Sequence, residues 1–223
     1  MISKIIGVII LVILSLIFYK KNYFKKIFLK KEKFGHIRHG ENLENIYNET
    51  LKKCREDGMD DNGSWDSNGK CSELNGGVHQ ICIKKIAERT PNFSSDTGQD
   101  NWSNNRGTNN HCVCLGAWSL YNKKNPITDE TKQNILKCNA IPKIALSKAY
   151  VTSFIPDGNG EGWDRWNGIE QTNQIVNGVE SLFNECYKGT STQKANLKSN
   201  FCNFAKDVPE LKNRNLYKTH CET

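Results

Sequence analysis

The chain has 223 residues, nine of them cysteine, with 37% hydrophobic side chains and a formal charge of +7. Lys4 supplies one positive charge, and residues 20–39 hold eight Lys/Arg against the single acid Glu32, which leaves residues 40–223 at −1. A near-neutral body argues against a nucleic-acid-binding protein, and about 180 residues suffice for one ordinary domain, or a small one with an appendage.

From the N-terminus, Ile5 to Tyr19 carries no charge and one hydroxyl, Ser15. A membrane-crossing apolar helix needs about 20 residues. The run therefore predicts a single transmembrane helix over residues 1–19, with Lys4 able to snorkel to the headgroups. A cleaved signal peptide is the rival reading, but it wants small residues at its cleavage site. Phe18-Tyr19-Lys20-Lys21 supplies bulky and basic ones. Residues 20–40 read as a basic juxtamembrane linker. In it Lys20, Lys21, Lys25, Lys26, Lys30, Lys31 and Lys33 would face anionic headgroups, with Tyr23, Phe24 and Phe28 between them. A lysine excess after the span places the body on the cytoplasmic side, or on one face of a virion membrane.

The body divides into a cysteine-rich domain over residues 41–157 and a C-terminal helical extension over residues 158–223. Leu43, Ile46, Tyr47 and Leu51 have helical spacing, which predicts a helix from Glu41 to Cys54. Residues 57–77 and 92–110, rich in Asn, Gly and Ser, read as long loops. Val78–Ile83 and His111–Leu115 read as short strands, the second running into a helical turn through Trp118 to Tyr121. Lys143–Phe154 is ambiguous between strand and helix, and Pro156-Asp157-Gly158 marks a turn. Ile169, Ile175, Val176, Val179, Leu182, Phe183 and Cys186 trace one face of a helix that Gly189 ends. A second helix follows and stops before Pro209. The expected fold class is therefore α+β: an N-terminal single transmembrane helix, a small cysteine-rich α+β domain and a C-terminal helical hairpin.

Few aliphatic residues and long loops call for staples. Cys54, Cys71, Cys82, Cys112, Cys114, Cys138, Cys186 and Cys202 are the disulfide candidates, with Cys186 and Cys202 placed to lock the hairpin and Cys221 left over. Disulfides conflict with a cytoplasmic body, and sequons at Asn48, Asn62, Asn92 and Asn101 would favour a lumenal one. A large DNA virus that assembles in the cytoplasm with its own thiol oxidase would reconcile the two.

Four landmarks carry a likeness. They are Gly63-Ser64-Trp65-Asp66-Ser67-Asn68-Gly69-Lys70-Cys71, Gly77-Val78-His79-Gln80-Ile81-Cys82, His111-Cys112-Val113-Cys114-Leu115-Gly116-Ala117-Trp118, and Ile141-Pro142-Lys143-Ile144-Ala145-Leu146. Over about residues 54–155 the chain resembles the DUF2237 family of small uncharacterised proteins. That resemblance implies a compact α+β core and brings no activity. The chain departs from the family at Lys70, where an adjacent cysteine is usual, and at His111, where an aromatic residue is.

The candidate chemistry centres on His79, Cys82, His111, Cys112 and Cys114, with Cys71 nearby in the pattern. His-x-x-Cys and His-Cys-x-Cys together could supply soft ligands for tetrahedral zinc, though structural zinc sites mostly use Cys-x2-Cys knuckles. Disulfides, or a redox-active Cys112/Cys114 pair, are the alternatives. An acidic loop (Asp57, Asp60, Asp61, Asn62, Asp66) lacks the ligand order of a calcium site. No phosphate-binding or dinucleotide motif is present. The expectation is a membrane-anchored structural or interaction protein with a disulfide-stapled domain, such as a minor capsid or membrane component of a large DNA virus particle. Its partners would be the lipid bilayer and other proteins of an assembly, without nucleic acid. The alternative is a membrane-bound thiol-redox or zinc-binding enzyme.

Overall fold

The computed structural model describes residues 43–72, 79–126, 134–155, 169 and 171–222. All of these fall in one compact unit. Its centre is a two-stranded antiparallel sheet of β1 (His79–Ile83) and β2 (His111–Cys114), with Cys82 opposite Cys112 and Ile83 opposite His111. Ile81, Cys82, Ile83, Cys112 and Cys114 are all sealed from solvent. Strands this short cannot stand alone in water; they persist because both faces are covered.

Between the strands lie two single-turn helices, α1 (Ile86–Arg89) and α2 (Phe93–Asp96), and a 3-10 turn at Ser103–Arg106. The stretch 92–110, expected as loop, is thus partly ordered by Phe93 packing at the core and by Ser94 and Ser103 exchanging hydrogen bonds.

β2 runs without a loop into α3 (Leu115–Lys124). Every residue of α3 from Leu115 to Asn122 is buried, so this helix is wrapped all round. Two 3-10 turns (Cys138–Ala140, Lys143–Leu146) and α4 (Lys148–Ser153) follow. Four further helices complete the described chain: α5 (Thr172–Cys186), α6 (Ser191–Ala205), α7 (Pro209–Lys212) and α8 (Asn215–Cys221). The apolar face read on α5 is the buried one: Ile175, Val176, Val179, Leu182, Phe183 and Cys186. It docks on α3 at Gly178, where an added Cβ would lie 2.9 Å from the Ser119 Cβ and 3.1 Å from its Cα. Trp118 Nε1 donates to the Gly178 carbonyl at 3.1 Å, tying the same crossing.

Three expectations need correction. The fold is α+β, but among the described residues no helix is long and apolar enough to cross a membrane. The longest are α5 and α6 at 15 residues, short of the ~20 a span requires. The apolar run at 1–19 and the lysine linker at 20–40 lie outside the described residues. Secondly, residues 43–54 are not a helix. Asn48 sits at φ 59°, and the backbone amides turn outward: Ile46 N donates to Ile141 O and Lys52 N to Asn139 O. From α6, the Asn196 and Asn200 side chains donate to the carbonyls of Tyr47 and Ile46. Tertiary partners here outbid an intrahelical ladder that periodicity alone suggested.

Thirdly, the C-terminal part is four helices sharing the central core, not a hairpin clasped by Cys186 and Cys202. The disulfides are Cys54–Cys82, Cys71–Cys112, Cys138–Cys186 and Cys202–Cys221. Cys221 is therefore bonded, and Cys114 is the cysteine in none of the four. The Cys186 backbone also accepts from the Tyr47 hydroxyl at 2.7 Å, and the Glu185 carboxylate from Ile135 N at 2.7 Å.

Cys138–Cys186 closes 48 residues, a loop whose closure is worth about 4 kcal/mol on chain-entropy grounds. A Cys138→Ser/Cys186→Ser variant should lose roughly that much in urea titration; a loss near zero would show that α5 is held by packing alone. Gly178→Ala should cost about 1–3 kcal/mol and disturb the near-UV spectrum of Trp118. An unchanged spectrum and midpoint would mean that the α3–α5 contact yields freely.

Candidate functional site

A cavity of about 210 Å³ opens beside the strand pair. Its lining includes His79 and His111, the first residues of β1 and β2, together with Cys112 and Cys114. The pairing register sets His79 opposite Cys114, which is why residues 32 positions or more apart in sequence share one wall. Four of the five residues singled out from the sequence are thus brought together. Cys82 is not; its sulfur is bonded to Cys54 away from the lining.

Sequence reasoning missed the part of the wall formed by Phe93, Trp102 and Arg106. The available signal was a pair of aromatics in an otherwise polar stretch. The Trp102 ring packs on the His111 ring with centroids 4.4 Å apart, and the Arg106 guanidinium carbon stands 5.4 Å from the Trp102 centroid. Such cation–π contacts favour a guanidinium partly removed from water. Trp102 Nε1 donates to Gln99 Oε1 at 3.0 Å, and Gln99 Nε2 donates to Thr97 Oγ1 at 2.8 Å, so this wall is held by its own hydrogen bonds.

His111 is 5% exposed. Its Nε2 lies 3.2 Å from Ser64 Oγ, while Nδ1, fully buried, has no hydrogen-bond partner among the described residues. Burial pushes its pKa down to about 3, the Arg106 charge and neighbouring His79 push the same way, and Asp60 opposes them. The imidazole is therefore neutral across ordinary pH. Arg106 Nε is likewise buried without a partner. Cys114 is the N-cap of α3, and its Sγ accepts from Ala117 N at 3.3 Å. A helix N-terminus lowers the energy of negative charge placed there.

For metal binding the donor set is narrow. Among the described residues, one group of three ligand atoms lies within 4.8 Å of one another: the sulfurs of Cys54, Cys71 and Cys112. All three are in disulfides. A disulfide sulfur is no thiolate, so a metal would have to follow reduction of both bonds. The expected zinc set of His79, Cys82, His111, Cys112 and Cys114 likewise has Cys82 and Cys112 committed to sulfur.

No family model, no curated protein and no solved structure matches the chain. The likeness to DUF2237 thus rests on the residue landmarks alone, and the cavity has to be read from its own chemistry.

The unfolded chain takes up the His111 proton near pH 6.5, the folded chain only at about 3. Between those values the unfolded state binds more protons. His111 then contributes full stability above about pH 6.5 and loses it as pH falls toward 3, by on the order of a few kcal/mol. Urea titrations at pH 7 and pH 4 should show this loss, and His111→Gln should shrink it; equal losses in both proteins would place the titration elsewhere.

Proposed function

We propose that the chain is a structural interaction protein, in which a disulfide-stapled body presents a fixed surface to protein partners of an assembly. One observation carries the reading. The four disulfides join regions far apart in sequence, including the Cys54 and Cys71 loops, both strands and the C-terminal helices. Cross-links of this kind suit a body that must keep its shape in an oxidising setting. The lysine-rich neck, Lys20 to Lys33, supplies attraction to an anionic bilayer surface, so that the body holds a protein layer near lipid. A virus particle with a membrane beneath its protein shell is a setting in which both properties serve.

Lysine crosslinking on native membranes or particles tests the reading. Body residues such as Lys52, Lys143 and Lys198 should link repeatedly to the same partner protein. Links confined to this chain, in preparations where known assemblies do crosslink, would overturn it.

A second reading, a thiol-redox protein, is favoured by Cys112 and Cys114 lining one cavity. In it the Cys114 thiolate attacks Cys112 Sγ, a Cys112–Cys114 bond forms, and Cys71 leaves as a thiolate; the exchange needs no outside oxidant. Alkylation and disulfide mapping in a glutathione buffer would find Cys71 modified in the parent chain and protected in Cys114→Ser. Cys71 protected in both would remove this reading.

A further inference from the structure

We propose that the cavity lined by β2 and Trp102 is a binding site for a small carboxylate with a compact apolar body, of about the size of benzoate. Arg106 and His111 receive the carboxylate, and Phe93, Trp102, Val113 and Ala117 enclose the body. The site is independent of the interaction surface proposed above.

The unmatched polar atoms define the ligand's charged end. Buried polar groups in folded proteins are nearly always hydrogen-bonded, and one left without a partner costs about 1–3 kcal/mol. Two such atoms, His111 Nδ1 and Arg106 Nε, belong to residues lining this one cavity; both are sealed from water, so a ligand would reach them by a small turn of the two side chains. Two other polar groups of the lining are already engaged: Gln99 with Trp102 and Thr97, and Ser64 with His111. Arg106 Nε–H can only donate. A carboxylate selects the His111 tautomer in which Ser64 donates to Nε2 and Nδ1 carries the ring hydrogen, so that Nδ1 also donates. Two donors, one on a guanidinium, match the two oxygens of a carboxylate.

Charge and shape agree with that assignment. Arg106 brings the positive charge, whereas His111 stays neutral and serves as a positioned donor. Asp60, whose charge is felt by both, is exposed, and its carboxylate already accepts from Asn62 N at 2.9 Å. A volume of about 210 Å³ lies between the ~150 Å³ of an apolar cavity that accepts benzene and the ~300 Å³ at which pockets for larger ligands begin. One ring or a short branched chain fills it. Aromatic and aliphatic walls, with the Trp102 ring beside the donors, suit such a body.

Calorimetry with the disulfide-bonded full chain tests the site, using benzoate and its neutral isostere benzamide. Benzoate should bind one per chain, at least tenfold more tightly than benzamide. Arg106→Gln should bring benzoate down to the level of benzamide while leaving benzamide unchanged. Should the variant fail to fold, the benzoate-to-benzamide ratio on the parent chain decides alone. Equal binding of the two ligands, absence of saturable benzoate binding, or full benzoate affinity in a folded Arg106→Gln protein would each overturn the proposal.

Discussion

Everything described in this protein hangs on the register that sets Cys82 opposite Cys112 across two short antiparallel strands. Neighbouring cysteines on paired strands could bond to each other. Here each reaches outward instead, Cys82 to Cys54 and Cys112 to Cys71, with Cα separations of 5.8 and 5.5 Å. The sheet therefore acts as a post to which two loop segments are fastened. Three of their four sulfurs, those of Cys54, Cys71 and Cys112, lie within 4.8 Å of one another, so the two disulfides sit side by side in the core where the composition lacks aliphatic residues.

From that post the remaining architecture follows by burial. β2 passes directly into α3, which has no solvent-facing stripe and so has to be enclosed. α5 covers it by the close approach at Gly178, and the aromatic group of Phe183, Tyr187, Phe201 and His220 joins α5 to α6 and α8. Arg214 clamps Glu180 with two hydrogen bonds, 3.1 and 2.6 Å, holding the start of α8 to α5. Cys138–Cys186 and Cys202–Cys221 tie these helices back to the body and to each other. The cavity is a consequence of the same arrangement. The strands begin with His79 and His111, and the Trp102 turn closes over them without matching every buried polar atom.

Local pattern made much of this legible. Ile81 and Ile83 at a spacing of two mark β1, and a six-residue apolar face with a following glycine marks α5. The histidines and cysteines of the two strands could be grouped because they sit at strand-compatible spacing. What could not be read was the partner of each cysteine. Nine thiols permit many pairings, and choice among them is made by which Cβ atoms the folded backbone brings to bonding distance. The stretch at 43–54 failed for a related reason. Its apolar spacing fits a helix, yet Ile141, Asn139 and α6 supply better partners for its backbone.

The sequence by itself determined the separation of a charged N-terminal stretch from a near-neutral body, because charge is a sum over residues and needs no coordinates. It also determined where the two strands and the two long C-terminal helices lie, since those elements are written in short-range periodicity. Tertiary structure alone decided that Cys114 stays out of the disulfides while Cys221 does not, and that Trp102 and Arg106 complete a wall with His111. Bonding distance, burial and an unmatched hydrogen bond are properties of groups that meet only after the chain has folded.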